Sequence, residues 1–354
     1  MTIDDSLRCA GARRGVVLAA MVLTASVFGP VRVGRACDVC AIYTATEMRE
    51  SRTGVLAGVA EQFTIYGTLQ ENGHAVPNPA GERLNSSITQ FIGGYTFTPW
   101  LTAQVNLPLV GREFRRQEAD GVVNGDETGI GDMSLLATAV PFSNVTNTSV
   151  MRWSVSGGVK LPTGDSRRLK EELDASQPDA GVPDPFRGHP VPKALKYHNI
   201  GTSTAQSGVH GHDLALGSGS ADVVLGTQLF SSWRRLYLTG ALQYVIRTEG
   251  SFGYEYANDL TWSGGPGIFA VLEHDYTMGL QATISGESKG KDTLDAVSED
   301  DTARTGVYAG PEFVFTWGTS LAANLGADFS AVQNNAALQI VPDYRFRGGV
   351  TWRF

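Results

Sequence analysis

Two short clusters in this 354-residue chain carry metal or redox chemistry by residue type and spacing. Cys37-Asp38-Val39-Cys40 has the spacing used by redox motifs, by metal half-sites and by small local disulfides. Ala41 follows where a haem-attachment motif needs histidine, and no later cysteine completes a zinc site. An oxidising compartment favours a disulfide between Cys37 and Cys40. The alternatives are docking of a periplasmic partner, or metal capture with the α-amine of Cys37 and the Asp38 carboxylate as added ligands. The second cluster is His210-Gly211-His212-Asp213, with His189 and His198 upstream. Two imidazoles flanking a glycine suit Cu²⁺, Ni²⁺ or Zn²⁺; the competing reading is solvated histidines in a His/Gly/Ser-rich loop.

A third group is spread along the chain. Arg152, Lys160, Arg247, Arg345, Arg347 and Arg353 share strand parity with Asp132, Asp222, Glu287, Glu312 and Asp328. Side chains alternate along an extended strand, so these would point to one side of a sheet. Inside a barrel they would form a charged constriction that selects solutes by sign and shape, or a paired ladder filling a narrow lumen. Catalysis finds no support. No strand-anchored nucleophile accompanies the histidines, and no phosphate-binding glycine loop or metalloprotease helix motif occurs. Neither a catalytic residue nor a cofactor is expected.

The elements that would position these residues begin after an export signal. Arg8, Arg13 and Arg14 precede the apolar run Gly15 to Phe28, and Gly34-Arg35-Ala36 offers a small-x-small cleavage site. Residues 1–36 therefore read as a signal peptide and residues 37–53 as a periplasmic segment. Cleavage removes five arginines and two aspartates, so the net charge of −8 becomes −11. So acidic an exported chain does not suit nucleic acid, which needs Lys and Arg against phosphates. No later apolar run has the length of a membrane helix, so membrane residence requires a closed barrel.

About twelve alternating stretches follow: 54–67, 85–98, 100–111, 129–141, 149–161, 217–230, 235–248, 258–273, 277–288, 304–317, 319–331 and 340–354. The last is the clearest. Tyr344, Phe346, Gly348, Val350, Trp352 and Phe354 lie on one face, and Asp343, Arg345, Arg347, Gly349, Thr351 and Arg353 on the other. Short turns alternate with longer polar connections at 68–84, 112–128, 162–216, 249–257, 289–303 and 332–339, as in outer-membrane barrels. Aromatics gather near the strand ends, as in a headgroup-level girdle: Phe97, Trp100, Phe142, Phe230, Trp233, Tyr276, Trp317, Trp352 and Phe354. The 42 glycines, about 12% of the chain, exceed the usual share of about 7% and suit a curved, tightly turned β-protein. A soluble sandwich would instead place its aromatics in mid-strand. The expected fold is all-β, a transmembrane antiparallel up-and-down β-barrel over 54–354, with long extracellular loops, of which 162–216 is the longest.

Two local features strain this reading. Glu61 shares the lipid-facing parity of Val55, Val59 and Phe63, so a bulge between Gly58 and Glu61 is expected to turn it inward. Ser166 to Ser176 predicts a short capped helix with its charges in water.

The stretches GIGDMSLLATA (129–139), GVKLPTGD (158–165), LGSGSADVVLG (216–226) and YAGPEFVFTWGTSLAANLG (308–326) resemble a family of bacterial outer-membrane transporters named for the meta-pathway of phenol degradation. The likeness covers roughly 85–354. It implies a barrel in the outer membrane of a Gram-negative bacterium that passes small solutes, hydrophobic or aromatic compounds among them. The chain departs from the pattern in its CDVC start and its histidine-bearing third loop. The resemblance also implies that the terminal Phe354 is an assembly signal read by the barrel-assembly machinery. The expected function is passive or facilitated passage of a small solute across outer-membrane lipid. The alternative is a non-conducting scaffold that docks a periplasmic redox or metal-handling partner through Cys37 and Cys40.

Overall fold

The computed structural model describes residues 53–118, 120–176 and 207–354. Residues 1–52, with the expected signal peptide, Cys37 and Cys40, and likewise His189 and His198, lie outside the described residues. Twelve strands form the barrel wall: β1 (Gly54–Glu71), β2 (Arg83–Thr98), β3 (Leu101–Glu118), β4 (Ser134–Val145), β5 (Ser149–Lys160), β6 (Asp222–Trp233), β7 (Leu236–Ile246), β8 (Asp259–Leu272), β9 (Tyr276–Lys289), β10 (Arg304–Trp317), β11 (Leu321–Asn335) and β12 (Leu338–Arg353). Each is antiparallel to its chain neighbours, and β12 pairs back onto β1 from Leu56↔Arg353 to Glu71↔Leu338. The sheet therefore closes and has no free edge, as a spanning β-structure must. Among the described residues no helix is long and apolar enough to cross a membrane.

The two-residue period sorts the wall into two faces. Val59, Phe91, Leu107, Leu225, Leu280, Leu325 and Phe346 are among a belt of exposed apolar side chains outside. So large an apolar surface belongs in lipid. Phe97, Trp100, Phe142, Trp233, Tyr276, Trp317 and Trp352 ring the short-turn end, all exposed. Phe354 closes the seam there: its backbone N–H donates to the Val55 carbonyl at 3.0 Å, and its ring stacks on Trp352. Phe230 departs from the expected girdle, being buried on the inner face.

Polar sequence hid one strand. The expected loop 112–128 instead continues β3 to Glu118 and returns as an arm, Gly121–Ile130, paired to it from Leu109↔Ile130 to Glu118↔Gly121. The wall strand expected at 129 therefore starts at Ser134. Beyond the lipid both faces of a strand can be polar, so the apolar alternation that marks the other strands fades there.

Glu61 also departs from expectation. The β1–β2 register runs without a shift from Gly54↔Thr96 to Tyr66↔Leu84, so no bulge turns it inward. Its carboxylate stays on the outer face and accepts hydrogen bonds from the hydroxyls of Ser87, at 2.7 Å, and Thr89. These neighbours satisfy a group that lipid cannot solvate. Ser87→Ala/Thr89→Ala should thus lower unfolding stability in lipid by about 1–3 kcal/mol, whereas Glu61→Leu should not. Urea titration of the reconstituted barrel measures both; equal losses in the two variants would contradict this role.

Candidate functional site: a capped lumen

Around the outer mouth, three distant sequence motifs meet at one carboxylate. Asp132, just before β4, accepts from the Lys160 ammonium (2.8 Å), the Gly164 N–H (3.0 Å), and the Ser218 N–H (2.8 Å) and hydroxyl (2.7 Å). The backbones approach so closely that a Cβ on Gly217 would sit 2.6 Å from the Gly164 Cα. Glycine is required at that crossing. The Gly-Asp and Pro-Thr-Gly-Asp stretches thus tie the end of the long connection to the wall.

Lys160 and its neighbours extend this knot into a collar. Lys160 also bonds Asp222 at 2.8 Å; Arg247 bonds Asp222 at 2.7 Å and Asp259 at 2.8 Å. A second network lies on the adjoining strands β9, β10, β11 and β12. Glu287 pairs with Arg345 at 2.9 Å and Arg304 at 3.3 Å, and accepts from the Tyr308 hydroxyl at 2.8 Å. Arg347 grips Asp328 with two parallel bonds, 2.8 and 3.0 Å, and lies 3.6 Å from Glu312. Most of the charges picked out by parity are therefore on the inner face and ion-paired. Arg152 is buried nearer the short-turn end, and Arg353 sits at the rim opposite Leu56. Asp259 and Arg304 complete the networks and were missed by parity, because each begins a strand next to a turn, where alternation is hardest to read.

The open part of the lumen is lined by neutral polar groups, by apolar side chains such as Leu56, Ile88 and Leu229, and by Arg152 and the ion-paired Glu287, Glu312, Asp328, Arg345 and Arg347. A cavity of about 300 Å³ is bordered by Gln62, Gln90, Gln104, Gln228, Gln243 and Gln281, with threonines, serines and Asn324 between them. Gln281 donates to the hydroxyls of Thr239 (2.8 Å) and Thr283 (3.2 Å). Toward the short-turn end, Phe230, Tyr237, Phe269 and Val314 form a buried cluster on the inner face. Tyr237 and Phe269 have ring centroids 4.5 Å apart. The glutamines share the inward parity of the charges, a signal present in the sequence but overshadowed by the charged residues.

Residues 207–216 run at the outer end of the barrel from β1, β2, β3 and β12 to the connections that hold Asp165 and Tyr256. Val209 and Leu214 pack against Tyr66, Leu84, Phe114 and Ile340, and Leu216 packs against Ile88 and Val110. Glu82 accepts the Ser207 hydroxyl (2.9 Å) and the Gly208 N–H (2.7 Å), while the Gly208 carbonyl accepts from Ile340 N–H (2.8 Å). We call this segment the lid. Behind it lie a 3₁₀ turn (Arg167–Leu169), the helix Lys170–Ser176 and the small sheet of Tyr254–Glu255, Thr293–Leu294 and Val297–Ser298. Ser166 does not cap this helical segment as expected: its hydroxyl bonds Ser251 at 2.8 Å, and the Asp165 carboxylate accepts the Arg167 N–H instead at 2.9 Å.

Nor are the loop histidines solvated. His212 has only 4% of its side chain exposed, stacks against His210 and Tyr254, and hydrogen-bonds Glu172 at 2.9 Å. Glu172, expected in water, is thereby turned into the cap. Burial opposes charge on His212, but the carboxylates of Asp213 and Glu172 overcome it and raise its pKa to about 10. Burial likewise opposes charge on Glu172, yet His212 and His210 hold it down to about 2. A protonated His212 is then the cation that binds the two acids together. Burial, with Asp301 and Glu172, pushes Glu299 up to about 7.

Closure, twelve antiparallel strands, an apolar outer belt and a polar inner face define a transmembrane β-barrel of the outer-membrane type. No family model matches the chain, and no curated protein matches it. An outer membrane channel from Pseudomonas putida F1 superimposes with a TM-score of 0.55 at 12% identity, covering 89% of this chain and 100% of that one. The beta domain of the Bordetella autotransporter BrkA gives 0.41 at 9% identity, covering 86% and 100%. The translocator domain of the autotransporter NalP from Neisseria meningitidis gives 0.38 at 13%, covering 87% and 91%.

Proposed function

We propose that this barrel lies in the outer membrane of a Gram-negative bacterium and lets a small, uncharged solute cross it by passive or facilitated diffusion. The observation that carries this reading is the division of the lumen. Most of its fixed charges are paired with one another at the edge of a cavity of about 300 Å³, whose remaining border is amides, hydroxyls and apolar side chains. A site of that volume holds one small molecule. Amides and hydroxyls can exchange hydrogen bonds with a solute in passing, and Leu56, Ile88, Phe230 and Val314 on the cavity border offer an apolar surface. Small hydrophobic or aromatic compounds bearing a hydroxyl fit both parts. The Pseudomonas putida protein of the same fold is an outer membrane channel, in keeping with this reading. No reaction is proposed.

Proteoliposomes test the solute class. A neutral phenol-sized alcohol should enter faster than into protein-free vesicles, and its carboxylate analogue should enter more slowly than the alcohol relative to the same controls. Faster passage of the carboxylate would overturn the assignment to uncharged solutes.

A further inference from the structure

The cap histidines are not among the residues bordering the lumen cavity, and they bring possible ligand atoms close together. His210, His212 and Asp213 each bring a ligand atom to within 4.8 Å of the others. Asp213 sits between the imidazoles, Oδ2 at 3.6 Å from His210 Nδ1 and Oδ1 at 3.6 Å from His212 Nε2. Such gaps are too long for hydrogen bonds. They are close to the edge of about 3.4 Å in a tetrahedron of ligands about 2.1 Å from a metal. His210 Nδ1 is buried and makes no hydrogen bond.

The outward-facing nitrogens of both rings are backed by carboxylates. His212 Nδ1 bonds Glu172 Oε1 at 2.9 Å, and His210 Nε2 lies 3.5 Å from Asp301 Oδ2. A carboxylate behind each imidazole is the arrangement that fixes tautomer and ring orientation in metal-binding histidines. The supports are themselves held. Glu172 Oε1 also accepts the His212 N–H at 2.8 Å, and Asp213 Oδ2 accepts the His210 N–H at 3.0 Å. Glu299 Oε1 is a further buried oxygen without a hydrogen bond.

We propose that His210 Nδ1, His212 Nε2 and the Asp213 carboxylate bind a divalent transition metal of the zinc class at the outer mouth, with a fourth position left to water. The metal takes over the role of the imidazole proton and displaces it on binding. All three ligands lie in or beside the lid, while Glu172 belongs to the helix Lys170–Ser176 and Asp301 to the connection before β10. Metal binding would therefore pin the lid to two other parts of the cap.

The test uses the full chain, purified and folded in detergent, with Cys37→Ser and Cys40→Ser in every arm so that only the cap is read. Titration calorimetry with Zn²⁺ should give one saturable site, with no such site for Mg²⁺. Co²⁺ should give the intense visible absorption of a tetrahedral ion. His210→Gln and Asp213→Asn should each weaken binding by about tenfold or more, and Glu172→Gln by about tenfold as a supporting carboxylate. His210 is partly exposed and lies in the cap, so its variant should retain the heat-resistant migration of a folded barrel. Absence of saturable Zn²⁺ binding, or binding unchanged in both His210→Gln and Asp213→Asn, overturns the site. Because binding is read without any flux measurement, failure here leaves the channel reading to its own test.

Discussion

Replacing Leu214 with aspartate is expected to open the outer mouth and raise single-channel conductance severalfold. Leu214 has no exposed surface and sits among Tyr66, Leu84, Phe114, Val209 and Ile340. Truncating a leucine in such a place costs about 2–5 kcal/mol, and an unpaired carboxylate there costs more. Even about 3 kcal/mol shifts the closed-to-open ratio more than a hundredfold. The lid would still be tied at Glu82 and at the Asp132 knot, so the variant should swing rather than unfold the wall. Deleting residues 208–215 removes the lid outright and should reach the same or higher conductance. Planar-bilayer recordings read both, and unchanged conductance in both variants would contradict a lid that blocks the mouth.

The second large effect concerns the collar. Asp222 is buried and accepts from Lys160 at 2.8 Å and Arg247 at 2.7 Å. Asp222→Ala leaves two buried cations to share Asp132 and Asp259, and breaking a buried pair in this way costs about 3–5 kcal/mol. The barrel should unfold at markedly lower urea, and the surplus positive charge should tilt conductance toward anions. Replacing Lys160, Asp222 and Arg247 together by Met, Leu and Met should recover much of that stability, since a buried ionic set rarely outperforms good apolar packing. If Asp222→Ala unfolds like the wild type and keeps its ion preference, the collar does not have this role.

Most of the wall was legible in the sequence because lipid outside and water inside impose a two-residue period on every strand. Leu101 to Leu109 and Tyr344 to Phe354 read correctly side chain by side chain. Legibility failed where that contrast ends. The arm 121–130 has no apolar alternation: Val122 and Ile130 fall on one face and Val123 on the other, among glycines and polar residues. The lid is buried by residues distant in sequence, and only Val209, Leu214 and Leu216 hint at it. Parity placed Arg345, Arg347 and Asp328 in the lumen but could not pair them, since pairing depends on register and on rotamers across neighbouring strands. The histidines read as solvated because the groups that bury them, Glu172, Tyr254 and Tyr256, lie far from them in sequence. Glu61 shows the converse case: its parity was right, and the bulge invented to rescue it was unnecessary once Ser87 and Thr89 supplied hydrogen bonds.

A lumen that passes a small neutral solute past a lid at residues 207–216 has a direct signature in the influx of a neutral phenol-sized alcohol into proteoliposomes, compared between the full chain and the 208–215 deletion. Influx above protein-free vesicles is expected for the full chain, and severalfold faster influx for the deletion. Influx no faster than in protein-free vesicles, in a deletion variant shown to be folded, would contradict it.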